Sequence, residues 1–299
     1  MRINKDYLQL HFIVFLGSFI PTVAIWISLP SLEIVLLRTL AAIILLGLII
    51  YFRKFNIRLK PHQLIPLLSS GVLTSIYWTL LIFSAKVANA SVSLVGVATS
   101  PLWVSFIAPL ITRQKKIDVH QIIIGINAAF GVYMIFTSGF EYSWGMSVAI
   151  IAAFVGALLT VISSKLAQIH NHYVITFYQM VGAWAGTVII LFFTSSIFIH
   201  RKIQLNPTWV DLLLILALAF VFSVYAYSVF IKIMKNLSPF TVSLATNLTP
   251  VYGILVALMF SSKSETMDIY FYAGATILIA SLMAIPLSNY LFGPGKSKG

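Results

Sequence analysis

Hydrophobic and polar positions form long blocks along the chain, with ten apolar segments separated by short polar connections. A helix rises about 1.5 Å per residue, so about 20 apolar residues cross the hydrocarbon core of a bilayer. The ten segments reach that length and cover residues 8–28, 31–52, 62–84, 90–112, 119–138, 145–167, 173–198, 208–231, 239–260 and 269–291. The pattern predicts an all-α integral membrane protein with ten transmembrane helices.

The composition indicates a surface that faces lipid. Hydrophobic residues make up 60% of the 299 residues and charged residues only 9%, and the mean hydropathy is +1.00. A soluble domain contains about 25% charged residues, so this chain has too few polar groups to cover its surface in water. The chain contains no cysteine, which excludes disulfides and thiolate metal sites.

The net charge of +12 arises from Lys and Arg residues that fall mainly on one side of the predicted membrane. With the N-terminus in the cytoplasm, 14 of the 19 lie in cytoplasmic segments, four lie outside, and Arg38 lies within the second span. This bias follows the positive-inside rule. It predicts a multi-pass protein of the cytoplasmic (inner) membrane with both termini in the cytoplasm. No basic helix or Gly/Arg tract is present, so the expected partner is the lipid bilayer and not nucleic acid.

The fourth and ninth predicted helices share an interrupted apolar pattern. The first reads SLVGVATSPLWVSFIAPL and the second reads SLATNLTPVYGILVALM. Pro101 and Pro250 are expected to break these helices, because proline removes a backbone donor and clashes with the preceding turn. A glycine follows each proline after 24 residues, at Gly125 and Gly274. The equal interval predicts that the chain consists of two repeats, residues 1–140 and 141–299.

A repeat of five helices must be inverted in the membrane relative to its copy, because five is an odd number. The loop after the fourth helix, RQKKID, is basic, whereas its counterpart SSKSETMD is nearly neutral, as expected for opposite sides. Inverted repeats allow a central site to be exposed to either side by equivalent movements of two halves. The two broken helices are therefore expected to line one path, although a kink that serves only packing is the alternative.

The chain resembles the EamA-type members of the drug/metabolite transporter superfamily over nearly its whole length. The first half contains LPSLEIVLLRTLAAIILL, similar to the proline and Arg-x-x-x-Ala pattern of the family's second helix, followed by AKVANASVSLVGVATSP. The second half contains FVGALLTVISSKL and SPFTVSLATNLTPVYG. The resemblance implies a ten-helix transporter of small organic solutes with a central cavity, often an exporter of amino acids or related metabolites.

One family feature is absent. Members usually have a Gly-Glu pair in the loops after the fourth and ninth helices, whereas this chain has Lys116 in the first loop and Ser264-Glu265 in the second. This difference leaves the expected fold unchanged and puts a role for the loop glutamate in doubt.

Arg38 is the leading candidate for a functional residue. It lies about six residues into the second span, which places it about 9 Å below the outer boundary. A charge at that depth usually faces an aqueous cavity or a partner. Arg38 is expected either to bind the solute or to have a structural role, in which it snorkels to the headgroups or bonds the carbonyls of a broken helix.

Other polar and aromatic residues at mid-depth are further candidates for the cavity wall. Each of them has packing between helices as its alternative role. They are Tyr77, Trp78, Trp103, Tyr178, Gln179, Tyr225, Asn247 and Tyr252. The Gly-x-x-x-Gly pattern at Gly182 and Gly186 is compatible with a homodimer or with close packing inside the bundle.

Catalytic and metal sites are not predicted. The sequence has no HExxH motif, and its seven acids fall near span ends or in loops. No cofactor and no enzymatic activity are expected. The sequence predicts a secondary transporter of a small-molecule solute that works by alternating access, with its energy coupling open. The alternatives are a passive facilitator or channel, and a non-transporting receptor or enzyme built on the same bundle.

Overall fold

The computed structural model describes residues 2–112, 142–195, 202–260, 269–270, 272–277 and 280, and every regular element in these ranges is a helix. In chain order the helices are α1 (Arg2–Gly17), α2 (Phe19–Trp26), α3 (Ser31–Arg53), α4 (Pro61–Val87), α5 (Ala90–Val97), α6 (Ser100–Thr112), α7 (Ser143–Ile169), α8 (His172–Phe193), α9 (Trp209–Ala217), a π-helical segment (Leu218–Ala226), α10 (Tyr227–Ile233), α11 (Pro239–Ala245), a 3₁₀ turn (Thr246–Leu248) and α12 (Thr249–Phe260).

Seven helical segments of the described residues are long and apolar enough to cross a membrane. They are Lys5–Trp26, Ser31–Arg53, Pro61–Val87, Ala90–Ile111, Ser143–Ile169, His172–Phe193 and Trp209–Ile233. These correspond to the predicted spans one to four and six to eight. The fifth span and most of the tenth lie outside the described residues, and the ninth corresponds to α11, the 3₁₀ turn and α12. The predicted count of ten is therefore not established by the structure.

The helix interruptions lie directly before the two repeated prolines. Between α5 and α6 the chain leaves the helix at Ala98 and Thr99, and α6 starts one residue before Pro101. The 3₁₀ turn occupies the same place before Pro250, which is the second residue of α12. Proline is tolerated in the first turn of a helix, where its missing N–H has no intrahelical partner to lose. Both prolines therefore start a new helix rather than kink a continuous one.

Helix α4 lies at the centre of the bundle and packs against both α7 and α8. Its contact with α8 is very close, because a Cβ on Gly71 would meet the Cα of Gly182, and a Cβ on Gly182 would collide with the backbone of Leu68. Gly186 approaches α4 in the same way, because a Cβ on it would lie 3.3 Å from the Val72 Cα. Both glycines of the Gly-x-x-x-Gly pattern therefore pack inside one bundle.

The connection between α2 and α3 is held by side chains from two other helices. The buried carboxylate of Asp211, at the start of α9, accepts hydrogen bonds from the Ser28 N–H at 2.7 Å and from the Ser28 hydroxyl at 2.6 Å. It also accepts one from the Thr208 N–H at 2.9 Å and so caps its own helix. Lys86, at the end of α4, donates to the carbonyl of Ile27 at 2.6 Å. We call this set of contacts the α2–α3 clasp.

Candidate functional site

A cavity of about 170 Å³ lies in the middle of the bundle, between helices of both halves of the chain. Its lining comes from α1 to α7, the π-helical segment and the elements from α10 to α12. For scale, an apolar cavity of about 150 Å³ holds one benzene molecule. The volume therefore suits a small organic molecule.

Arg38 supplies the charge in this cavity. Its side chain is fully buried, with no solvent-exposed surface. Its Nε donates a hydrogen bond to Ser223 Oγ at 2.7 Å, and its Cζ lies 3.9 Å from the centroid of the Trp78 ring. Nη1 and Nη2 have no hydrogen-bond partner among the described residues. Because a guanidinium has five N–H donors, four of them are without a partner among the described residues.

The π-helical segment positions the hydrogen-bond partner of Arg38. Ser223 lies within this segment, is fully buried and points its hydroxyl toward the Leu218 carbonyl at 3.4 Å as well as toward Arg38. A π-helix pairs residues five apart instead of four, is rare, and occurs frequently at functional sites. Phe222 and Ala226 of the same segment line the cavity.

Aromatic rings form the wall next to Arg38. Trp78 and Tyr227 pack edge to face with 5.6 Å between ring centroids, and the Tyr227 hydroxyl lies 3.4 Å from Thr74 Oγ1. Tyr77 completes this wall and packs over Gly156 of α7, where a Cβ would lie 2.9 Å from the tyrosine ring. Trp78 stabilises the guanidinium of Arg38 through its π face. The aromatic wall as a whole offers a surface that suits an apolar or planar solute body.

The two helix interruptions contribute matching positions to the cavity. Leu94, Val97 and Ser100 line it from the first interruption, and Ser243, Thr246 and Thr249 line it from the second. Each residue of the second set lies 149 positions after its counterpart in the first. Spacings of three residues place each set on one helix face. The repeated pattern therefore brings two equivalent surfaces to one cavity, of which the first is mainly apolar and the second consists of hydroxyl groups.

Ser243 is the second side chain of the cavity with an unsatisfied polar atom. It is buried, with 3% of its surface exposed, and its Oγ has no hydrogen-bond partner among the described residues. Two other hydroxyls of the lining are satisfied locally: Ser100 donates to the Val97 carbonyl at 2.7 Å, and Thr160 donates to the Gly156 carbonyl at 2.8 Å. Buried polar groups in proteins are almost always hydrogen-bonded, so Ser243 and Arg38 are the candidates among the described lining residues for contact with a polar occupant.

Residues 5–137 and 143–287 match the EamA-like transporter family. The chain belongs to this family. The match confirms the family that the sequence motifs indicated, and it falls in two segments that correspond to two repeats. Together with the seven apolar helices, membership makes the chain a multi-pass membrane protein of a transporter family.

A solved structure, described only as the crystal structure of a protein, has the same fold as this EamA-like protein. The two share 14% sequence identity with a TM-score of 0.68, and the likeness covers 95% of this chain and 98% of the other. At this identity the comparison shows the fold alone. No curated protein sequence matches the chain.

Three of the candidate residues named from the sequence line the cavity of this EamA-like protein: Arg38, Tyr77 and Trp78. Arg38 was expected either to snorkel to the headgroups or to face a cavity, and its full burial places it in the interior. Glu33 is not its partner, because the carboxylate of Glu33 accepts a hydrogen bond from the Gln204 N–H at 3.2 Å.

Trp103 and Tyr252, the aromatics that follow the two prolines, pack against other rings and do not line the cavity. Trp103 is half-buried and meets Phe154 edge to face with 5.4 Å between centroids. Tyr252 is also half-buried and meets Phe15 edge to face at 5.5 Å. The cavity positions lie before each proline, on the interrupted segment, rather than after it.

Tyr178 and Tyr225 are also placed away from the cavity. The Tyr178 hydroxyl donates to the Ile57 carbonyl at 2.7 Å and so fastens the connection between α3 and α4. Tyr225 lies on the outer surface of the bundle, with 47% of its surface exposed, against Phe12. Neither tyrosine is positioned to contact a solute in the cavity.

Gln179 occupies a polar cluster between α4, α7 and α8. It is fully buried and donates from Nε2 to the hydroxyls of Ser70 and Ser163, each at 3.0 Å. It does not line the cavity, and its described hydrogen bonds link α8 to α4 and α7. Asn247 belongs to the 3₁₀ turn, and its side chain lies outside the described residues.

Two cavity residues, Tyr227 and Ser243, are not among those that the sequence pattern indicates. The sequence contains a signal for Ser243, because the alignment of the two interruptions places it at the position equivalent to Leu94, where the second repeat has a hydroxyl in place of an apolar side chain. It contains no signal for Tyr227, because the apolar pattern predicts a continuous α-helix through residues 208–231, and the π-helical segment changes which side chains share a face. The pattern favours Tyr225 instead, whose side chain lies on the opposite side of the helix.

Proposed function

We propose that this EamA-like protein is a secondary transporter that moves a small organic solute through the central cavity by alternating access. The observation that carries the proposal is the state of Arg38. This fully buried residue lines the cavity, and its two terminal nitrogens have no hydrogen-bond partner among the described residues. A charge within a membrane protein is costly and is usually compensated by a partner or by access to water. A carboxylate on the solute supplies this compensation with two parallel N–H···O bonds.

The cavity geometry supports transport because both repeats contribute to it. The two equivalent surfaces at the interruptions meet across one space, as expected when inverted repeats enclose a central site. We propose the complete architecture as ten helices in two inverted five-helix repeats, residues 1–140 and 141–299, in the cytoplasmic membrane with both termini in the cytoplasm. In this arrangement a tilt of one half against the other opens the cavity to alternate sides.

The expected direction is export, and the expected solutes are amino acids or related metabolites, as the family resemblance implies. No catalytic step is assigned to the protein. The binding site consists of Arg38, Tyr77, Trp78 and Tyr227 with the hydroxyl groups of the second interruption. Trp103, Tyr178, Gln179, Tyr225 and Tyr252 are assigned to packing by their contacts, and Asn247 stays a candidate.

The proposal is tested by an efflux and growth-inhibition screen of amino acids, their analogues and other small metabolites in cells that over-produce the protein. Arg38→Lys keeps the charge but loses the planar fork that binds a carboxylate. Transport of the active solute is expected to fall at least about tenfold, a loss of about 1.4 kcal/mol in transition-state stabilisation, in both Arg38→Lys and Arg38→Ala.

Arg53→Lys is the matched control, because Arg53 lies on the same helix, is exposed and is remote from the cavity lining. It should transport like the unaltered protein, and all variants must reach equal abundance in the membrane. Normal flux in Arg38→Lys, with the charge retained, would show that Arg38 only stabilises the bundle.

A further inference from the structure

The charge of the cavity is unbalanced. Arg38 is the only charged residue among the described residues that line it. The three described acids are engaged elsewhere: Asp6 accepts from Asn236 at 2.7 Å, Glu33 accepts from the Gln204 backbone, and Asp211 forms the α2–α3 clasp. The four other acids of the chain fall at or beyond the ends of the predicted spans and are Asp118, Glu141, Glu265 and Asp268.

This imbalance distinguishes between kinds of solute. A carboxylate that binds Arg38 brings the total charge in the cavity to zero. A zwitterionic amino acid carries an ammonium group as well, which leaves one uncompensated positive charge in a low-dielectric space. An uncompensated buried charge is strongly unfavourable, and a neighbouring guanidinium adds repulsion that weakens only slowly with distance at low dielectric.

Building on the proposed transport function, we infer that the solute is a monoanionic carboxylate without a free amino group, such as a hydroxy acid or an N-acylated amino acid. The carboxylate binds Nη1 and Nη2 of Arg38, and the apolar body lies against Trp78 and Tyr227. With a volume of about 170 Å³, the cavity suits a solute of roughly six to ten non-hydrogen atoms, on the scale of benzene in a cavity of similar size.

The hydroxyl surface of the second interruption adds a second recognition element. Ser243 Oγ is buried and lacks a partner among the described residues, whereas its counterpart in the first repeat is Leu94. A hydroxyl donates one hydrogen bond and accepts up to two, so Ser243 can bind an alcohol, an amide or a ketone. The solute therefore carries one such neutral polar group in addition to its carboxylate.

The test uses the purified protein in proteoliposomes and a series of solutes that share one side chain. The series consists of L-leucine, the corresponding 2-hydroxy acid and 4-methylpentanoate, which lacks the second polar group. The hydroxy acid is expected to be transported at least tenfold better than L-leucine, as judged by kcat/KM. If L-leucine is transported equally well or better, the inference about the solute is wrong while the transport function stands.

The series also separates failure of the inference from failure of the proposed function. If no compound of the series and no solute of the broader screen is transported, the proposed function is wrong, and this inference falls with it. If amino acids are transported and lose their flux in Arg38→Lys, the function is supported and the inference is overturned.

Ser243→Ala tests the second recognition element. The variant is expected to raise KM for the 2-hydroxy acid several-fold and to leave KM for 4-methylpentanoate unchanged, because only the hydroxy acid has a group to lose. Ser69→Ala is the control, since Ser69 is an exposed serine of α4 remote from the cavity. An equal change in KM for both solutes, at unchanged melting temperature, would overturn the role assigned to Ser243.

Discussion

At the scale of single residues, burial, unsatisfied hydrogen-bonding atoms and an adjoining cavity distinguish the residues proposed to bind the solute from those that pack. Arg38 and Ser243 are buried in the cavity wall with polar atoms that have no partner among the described residues. Trp103 also has an unpartnered buried atom, Nε1, within the part of the chain that the structure describes. Its ring, however, lies among the apolar side chains of Val104 and Ala157 and not at the cavity. An unsatisfied atom therefore indicates a site only where a space adjoins it.

Trp103→Ala should reduce stability rather than solute recognition. The substitution removes the edge-to-face contact with Phe154 and leaves a gap in an apolar cluster. Replacement of a completely buried tryptophan by alanine lowers the free energy of unfolding by about 3–5 kcal/mol. The effect should be smaller for Trp103, which is half-buried. The expected result is a lower melting temperature of the purified protein with KM unchanged, while Trp103→Phe keeps most of the stability. A raised KM in Trp103→Phe at full stability would instead place Trp103 in the solute path.

At the scale of helices and their connections, the α2–α3 clasp and the contact between α4 and α8 fix the geometry around the cavity. The clasp joins the first half of the chain to α9 of the second half through Asp211 and Ser28. The glycine contact brings the backbones of α4 and α8 together. Trp78 of α4 and Arg38 of α3 meet in the wall of the cavity, so their relative position depends on how these helices are held.

Asp211→Asn is expected to destabilise the clasp. Asp211 accepts from two groups of Ser28 as well as from Thr208, and an amide has one acceptor oxygen where the carboxylate has two. A loss of about 1 kcal/mol corresponds to a fall of about 2–4 °C in melting temperature for a protein of this size. Asp6→Asn is the control, because Asp6 has one exposed hydrogen bond, to Asn236. Equal melting temperatures in the two variants would contradict a structural role for the clasp.

Sequence patterns predicted the helices better than they predicted the side chains that face the cavity. Length and hydropathy were sufficient for the seven spans that the structure describes, because crossing a bilayer fixes both quantities. The prolines indicated where helices α6 and α12 start, because their effect on the backbone is local. The faces of the helices were harder to predict, since a membrane helix is apolar on nearly every side and its periodicity carries little information. Tyr225 and Tyr227 illustrate the difficulty, as only contacts show which of them points inward.

At the scale of the whole molecule, the two repeats contribute equivalent positions but different chemistry to one cavity. Leu94 and Val97 make the surface of the first repeat apolar, whereas Ser243 and Thr246 make that of the second polar. The two repeats therefore give the cavity two chemically different surfaces, and we expect a solute with one apolar and one polar side to bind in a single orientation. In the proposed alternating-access mechanism the two repeats would move alike, whereas the solute would break apolar contacts on one surface and hydrogen bonds on the other.

The topology is tested with single cysteines in the chain, which contains none of its own. Cysteines at Ser143 and Asn206 are expected to react with an impermeant thiol reagent added outside intact cells, and cysteines at Asn56 and Asn171 are not. All four positions are exposed at ends of helices or in connections, so burial does not limit their reaction. Labelling of both pairs from the same side would rule out the ten-span arrangement.

The π-helical segment from Leu218 to Ala226 makes the number of residues in this stretch as important as their identity. A pairing five residues apart accommodates one residue more than the pairing of an α-helix. Loss of one residue would let the stretch wind as an ordinary α-helix, and the side chains after it, Tyr227 among them, would keep their direction. Side chains inside the segment would turn relative to the cavity, so Ser223 would move from its place beside Arg38 although no cavity residue had been replaced. Among related transporters, a gap of one residue in this segment should therefore accompany a change of solute, even where all the binding residues are identical.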